Sequence, residues 1–319
     1  MGRKLKSSPL LFSIITPCLN RVGFIAGAVE SVLKQDSSRF EHIIMDGGST
    51  DGTLEVLKRF PHLRVVSQPD DGIYDALNKG IRLAQGEVIG FLNSDDLYEQ
   101  GIFGTVDLTL SNHPEIDALV GGASILQEKS TGDWELLATF PAVPQNELLV
   151  RATQGAPIFN AWFFRRQLFE EVGVFDTRYQ YVADRDFLIR MAFQSRNYAS
   201  LNRIFYHYRM HPGSFTLSGQ DSGEAGFMFE TRALAERYIR LEGIAAGDLR
   251  CIKSWHSQIT AEQIVTAWRK KAIRRTFQYI LVGFHYNPLG WPGIFLGKVI
   301  ERFTVLLKGI FSQKNADYP

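Results

Sequence analysis

The first hundred residues alternate between two hydrophobic rhythms, and this alternation constrains the fold more than any other feature of the chain. Phe12–Thr16 (FSIIT) is a short apolar run with β-branched residues. Residues 22–35 then place Ile25, Ala28, Val29, Val32 and Leu33 at helical spacing, on one face. His42–Met45 (HIIM) reads as the next strand. It runs into a turn over 46–53 and a helix carrying Leu54, Leu57 and Lys58 that ends near Pro61. Leu63–Ser67 is a third strand, the polar loop Gln68–Gly72 leads into a helix over Tyr74–Ala84, and Glu87–Leu92 (EVIGFL) is a fourth strand. This βαβαβαβ order predicts an α/β fold: a Rossmann-like, mostly parallel sheet with helices on both faces. Such sheets bind ligands outside the carboxyl ends of their strands. The informative segments are therefore Pro17–Asn20, Asp46–Asp51, Ser67–Gly72 and Asn93–Asp96.

Three of those four segments carry carboxylates. Acids gathered at one sheet edge repel one another unless a cation sits among them, which points to a divalent metal. Asn93-Ser94-Asp95-Asp96 suits a hard ion such as Mg²⁺ or Mn²⁺ that keeps positions open for phosphate oxygens. The same residues would also serve as an N-cap for a turn over 97–103. In Asp46-Gly-Gly-Ser-Thr-Asp51-Gly-Thr the glycines allow a ligand close to the backbone, and the acids can accept from a base N–H or ribose hydroxyls. A turn with a capped helix explains that segment equally. No Gly-Lys-Ser/Thr follows it, and no G-x-G-x-x-G follows the first strand, so phosphate-cradling and dinucleotide fingerprints are absent.

Downstream, 118–126 (ALVGGASIL) and 134–140 (WELLATF) read as strands joined by a polar turn, and 155–164 as an apolar segment crossing the core. Arg166–Gly173 and Asp184–Phe193 read as short helices. Residues 215–225 (TLSGQDSGEAG region) form a loop or linker, after which Phe227–Leu241 and Ala261–Tyr279 carry long helical patterns. The expected organisation is a disordered start (1–10), a domain over 11–215 with halves 11–98 and 99–215, and a helical, basic extension over 226–319.

The 35 Lys+Arg nearly balance 34 Asp+Glu, so no global charge favours nucleic acid as a partner. Two cysteines, Cys18 and Cys251, are too few for a disulfide scaffold and suit a reducing compartment. The basic start leads into an apolar run too short for a signal peptide. Charge is uneven, however: from Trp268 to the end nine Lys/Arg face only Glu301 and Asp317, leaving the remainder at −6. These cations alternate with aromatic residues, and no window is apolar enough to span a bilayer. A helical region of this kind either lies in the headgroup layer of an anionic membrane or packs on the main domain with snorkelling side chains.

Taken in order, FSIITPCLN, EHIIMDGGSTDGT and SQPDDGIYDALNKGIRLAQGEVIGFLNSDD resemble the nucleotide-binding half of family 2 glycosyltransferases with the GT-A fold, particularly bacterial polysaccharide-type members. The likeness covers residues 11–98. It implies inverting transfer of a sugar from a nucleoside-diphosphate donor, aided by a divalent cation (Mn or Mg). By that resemblance Pro17, Asn20, Asn78, Lys79 and Ser94 approach the donor, Asp46 contacts the base, and Asp51 supports the same loop. Asp95 and Asp96 match the metal and ribose acids of the family's DXD-like motif, with Asn93 at the frequent first acid. Gly47 stands where many members carry a second acid. In 163–191, Asp184 falls on the catalytic base, with Ala183 where relatives often have Glu, and Asp186 becomes structural or acceptor-facing. In Tyr206–Ser214, the resemblance gives Arg209 to the diphosphate and His211 to the metal or diphosphate. Tyr181 and Trp162 are candidates for stacking on acceptor sugars, although Trp162 equally suits the core.

The expected activity is glycosyl transfer to a lipid-linked saccharide or polysaccharide, on the cytoplasmic face of a membrane. Two other readings stay open: a nucleotidyltransferase, for which the segment Pro17–Ile25 offers only Arg21 as an activating cation, and a non-catalytic carbohydrate-binding protein on a transferase fold.

Overall fold

All seven residues of Phe12–Cys18 (β1) are buried, so the strand shows no regular polar alternation, and its two hydroxyls, Ser13 and Thr16, are hydrogen-bonded to Glu41 and His42. The structure, a computed structural model, describes residues 11–129, 132–155, 158–211 and 221–298. The expected disordered start lies outside these residues, as does the tail beyond 298. The chain divides into two compact units, residues 1–223 and 224–319.

In the first unit, β1 pairs in parallel with β2 (Phe40–Asp46) on one side and β4 (Val88–Phe91) on the other, and β2 pairs in parallel with β3 (Leu63–Ser67). Register brings Cys18, Asp46 and Ser67 abreast. The loops that follow these strands therefore leave from one rim. The helices α1 (Ile25–Leu33), α2 (Thr53–Leu57) and α3 (Ile73–Leu83) connect the strands. Helix α3 presses so close to β1 that a Cβ on Gly80 would lie 2.4 Å from Ile15 Cγ2; only glycine fits that contact.

Beyond β4 the sheet changes character. Its strand order is β3-β2-β1-β4-β8-β6-β9-β5, with β5 Leu97–Tyr98, β6 Ala118–Glu128, β8 Trp162–Arg165 and β9 Tyr198–Met210; β7 (Trp134–Phe140) adds to β6. β8 runs antiparallel to both β4 and β6, β7 antiparallel to β6, and β5 antiparallel to β9; only β6 and β9 are parallel. The mostly parallel expectation thus holds for residues 11–98 and gives way to a mixed sheet afterwards. A short turn, such as the one between β6 and β7, can only reverse the chain, whereas parallel pairing needs a long crossover.

The expected N-cap at Ser94 or Asp95 does not form. Residues 97–98 are β5, and α4 (Ile102–Asn112) begins after Gly101 with no side-chain cap. Under the sheet, α5 (Leu148–Gln154), α6 (Leu168–Glu171) and α7 (Ala183–Phe193) pack around a cluster of rings including Phe91, Phe159, Phe164, Phe175 and Phe187. Trp162 is wholly buried and stacks on Phe164 at 5.7 Å, so it belongs to the core and not to an acceptor site.

In the second unit, α8 is Asp221–Ile239, α9 is Ala246–Arg269 and α10 is Ile273–Tyr286. Helix α8 begins inside the segment expected to be a linker; residues 215–220 of that segment lie outside the described ones. The single helix expected over 261–279 is two helices, broken where Lys271 adopts a left-handed φ of 53°. Apolar residues keep helical spacing on both sides of the break, so the pattern alone reads as continuous. Ala261, Ile264 and Trp291 form this unit's core with Tyr279, Ile280 and Phe295. Among the described residues no helix is long and apolar enough to cross a membrane.

Candidate active site

The loops after β1, β3 and β4 meet α7 and the end of β9 around a cleft of about 750 Å³. Its wall includes Pro17, Asn20, Ser94, Asp95, Asp96, Asp184 and Arg209 from the sequence-derived set. Asp46, Asp51, Asn78, Lys79 and His211 are not on the wall, and each has an observable reason.

Asp46 is 1% exposed. Its carboxylate accepts from the backbone N–H of Gly48 and Ser49, from Ser49 Oγ at 2.5 Å and from Ser67 Oγ at 2.6 Å. Donors from its own loop and from β3 hold it, so in this structure Asp46 ties the loop after β2 to β3. Asp51 accepts from Val22 N and from Thr53, and Asn20 accepts from Thr50 N while its own N–H donates to Ser49. Asn20 holds a left-handed φ of 52° to do so. Together these bonds tie the loops after β1 and β2 into one rim, and the Thr53 hydrogen bond lowers the Asp51 pKa.

The two candidates on α3 also meet partners within the fold. Asn78 exchanges two hydrogen bonds with the backbone of Phe175, docking the helix on the loop after α6. Lys79 reaches Asp75 at 2.8 Å and the carbonyl of Pro69. Neither side chain is directed at the cleft wall.

At the end of β4, two adjacent aspartates have opposite fates. Asp96 is buried and accepts from Asn93 Nδ2, from the Tyr206 hydroxyl at 2.8 Å and from Arg209 N at 2.8 Å. Burial, and then the neighbouring Asp95 charge, raise its pKa. These three donors anchor the loop through Asp96, which also lines the cleft. Asp95 keeps 15% of its side chain exposed, 3.3 Å from His211 Nε2 and 3.6 Å from Arg21 Nε. His211 reaches the site through Asp95 and stacks on Phe24 at 4.1 Å. Arg209 donates to the carbonyls of Asp95 and Phe24 and lies over the Phe24 ring, so much of its fork holds the loop against β9.

Asp184 sits in the first turn of α7, where the helix N-terminus favours its charge. It accepts from Arg185 N at 2.7 Å and from the Tyr74 hydroxyl. Burial outweighs these and raises its pKa. The Arg185 guanidinium turns away, to the carbonyls of Ala152, Thr153 and Gly155. Asp186 is buried and paired with Arg190 at 2.8 Å, which fixes it as structural.

Sequence reasoning gave no role to Tyr74, Tyr206 or Asp70, and used Arg21 only as an argument against a nucleotidyltransferase. Asp70 lies where a Cβ on Gly47 would sit, 2.8 Å from its Oδ2. The glycine at a position often acidic was the available signal: an acid from the next loop fills that place. The Cys18 thiol, also on the wall, is pushed up to about 12 by burial, which disfavours the thiolate.

Among the described residues no group of three or more His, Cys, Asp or Glu converges as a metal cage. Asp95 and His211 offer two donors side by side. That set fits an ion that takes its remaining ligands from water and substrate phosphates.

The whole fold matches solved glycosyltransferases. S. aureus TarS 1–349 in complex with UDP-GlcNAc has a TM-score of 0.57 at 18% identity, covering 80% of this chain and 73% of that one. The mannosyltransferase PcManGT from Pyrobaculum calidifontis, in complex with GDP-Man and Mn²⁺, has a TM-score of 0.56 at 16% identity, covering 93% and 88%. The architecture is therefore GT-A. The family model "Glycosyl transferase family 2" matches residues 13–173. A Mycobacterium bovis BCG protein named PGL/p-HBAD biosynthesis glycosyltransferase is 33% identical over 186 residues, 56% of this chain and 69% of its own length. The chain belongs to glycosyl transferase family 2 and is a glycosyltransferase.

Proposed function

We propose that the protein moves a glycosyl group, with inversion, from a nucleoside-diphosphate sugar to a hydroxyl of a saccharide, either lipid-linked or part of a growing polysaccharide. The observation that carries this reading is that Asp95 and Asp184 line one cleft at the strand ends, one open beside Arg21 and His211, the other desolvated. Residues 11–98 bind the nucleotide, and residues 99–215 supply the acceptor side.

In this scheme Asp184 takes the acceptor hydroxyl proton as that oxygen bonds to C1 of the sugar. The bond from C1 to the diphosphate breaks on the opposite face, and nucleoside diphosphate leaves. Arg21 faces the departing charge, and Tyr74 orients Asp184. Asp95 and His211 would hold a divalent cation, Mn²⁺ or Mg²⁺, which when bound neutralises charge on the diphosphate. The relatives support the donor class: one neighbour is in complex with UDP-GlcNAc and another with GDP-Man and Mn²⁺. Neither Cys18 nor Cys251 is in a disulfide, in keeping with action on the cytoplasmic side.

The test is a thermal-shift screen of UDP, GDP, dTDP and ADP with and without Mn²⁺, followed by turnover with the matching sugar nucleotides. A ligand of the native state raises its melting temperature. One nucleotide should stabilise the protein, more strongly with Mn²⁺. Stabilisation by none, with no turnover of any donor, would refute the reading.

A further inference from the structure

Helix α10 has two faces of opposite fate. Thr276 and Gly283 are buried, and Gly283 lies so close to Trp291 that an added Cβ would sit 2.3 Å from its ring. Tyr279 and Ile280 join the core of the second unit. On the other side Ile273, Phe277, Leu281 and Phe284 are 61%, 63%, 69% and 47% exposed. At 100° per residue these four fall within about 80° of arc, a single stripe. Four large apolar side chains on one solvent-facing stripe form a patch that a soluble surface rarely leaves uncovered.

The charges around the stripe define what covers it. No Asp or Glu occurs between Glu262 and Lys298, while Arg269, Lys270, Lys271, Arg274 and Arg275 cluster at the start of α10. All five are exposed. Trp268, 68% exposed, adds an aromatic ring of the kind that favours the headgroup layer. A second copy is a poor occupant, because a self-complementary contact would bring two such cationic clusters together. An anionic lipid surface accepts both features: acyl chains take the stripe, and headgroups take the cations.

We propose that the exposed face of α10, with Ile273, Phe277, Leu281 and Phe284 as its apolar stripe, docks the protein on an anionic membrane surface without spanning it. The face lies in the second unit and shares no residue with the cleft, so it stands or falls separately from the chemistry assigned there.

The experiment is flotation of the full chain with vesicles of phosphatidylcholine alone or containing about one-third phosphatidylglycerol. The protein should float with the anionic vesicles, little with the neutral ones, and be released by high salt. The double variant Phe277→Glu/Leu281→Glu should lower the bound fraction about tenfold, and Arg274→Glu/Arg275→Glu by a similar factor. Helical circular dichroism and nucleotide-induced thermal shift should match the parent; if the Glu pair loses helix, Phe277→Ser/Leu281→Ser takes its place. Absence of flotation, or equal flotation by parent and variants, would overturn the assignment. A dimer seen by light scattering that dissociates in Phe277→Glu/Leu281→Glu would overturn it too, by giving the stripe to a second copy.

Discussion

The loops that follow β2 and β4 look alike in sequence, since each ends a buried strand with aspartates among small residues, yet they do different work. After β2 both acids are held by neighbours: buried Asp46 by Ser49 and Ser67, exposed Asp51 by Thr53 and Val22. After β4 one acid turns inward and its neighbour stays open: Asp96 is held by Tyr206 and Arg209, while Asp95 faces the cleft. Asp46 and Asp96 each accept several bonds from the segments around them, whereas Asp95 meets His211 and Arg21 at 3.3 and 3.6 Å beside the cleft. The first loop is a frame and the second is a frame with one free face, and substitutions should separate the two.

The largest effect belongs to Asp184. Asp184→Asn should lower kcat by roughly 10²–10⁴-fold and leave the nucleotide-induced thermal shift intact. Because burial raises the Asp184 pKa, the parent's kcat should fall on the acid side at a pH above the ordinary carboxylate range. A pH–rate profile checks this, and turnover unchanged by Asp184→Asn would remove Asp184 from the mechanism. Asp95→Ala and Asp46→Ala then set the two loops against each other. Asp95→Ala should abolish the Mn²⁺-dependent part of the thermal shift with little change in stability. Asp46→Ala strands several donors and should cost about 3 kcal/mol of stability while the folded fraction still binds nucleotide. Denaturant titration and thermal shift on both variants measure the contrast; equal stability losses would erase it.

A smaller effect is expected at Tyr206, whose hydroxyl donates to Asp96 and accepts from Asn93 N and Asn160. Tyr206→Phe should destabilise by about 1–2 kcal/mol, read by urea melts. The last prediction concerns the frame alone. His42 is buried against Thr16, and burial lowers its pKa to about 3. In the unfolded chain it protonates near its ordinary value, so between about 6.5 and 3 the unfolded state binds the extra proton. Stability should fall as pH drops through that window, and the slope should be shallower in His42→Gln.

The legible and illegible parts of the site divide along the same line. Pro17, Asn20, Ser94 and Asp95 could be placed at the cleft because strand–loop order puts strand-end residues at one rim, whereas Asp184, in the first turn of α7, was placed through the family resemblance. Asn78 and Lys79 could not be excluded in advance, because their partners Phe175 and Pro69 are chosen by packing. Asp70 was overlooked because its position over Gly47 depends on how two loops approach in space.

From the sequence alone came the α/β alternation, the rim where ligands bind and the cationic, aromatic C-terminal region, because periodicity and composition are local properties of the chain. The tertiary structure decided which aspartates stay open, where the sheet turns antiparallel and which face of α10 is left bare. Each of those depends on partners far away in sequence: Tyr206 and Arg209 lie more than a hundred positions from the Asp96 they hold. Burial and hydrogen-bond satisfaction are settled only when such segments meet.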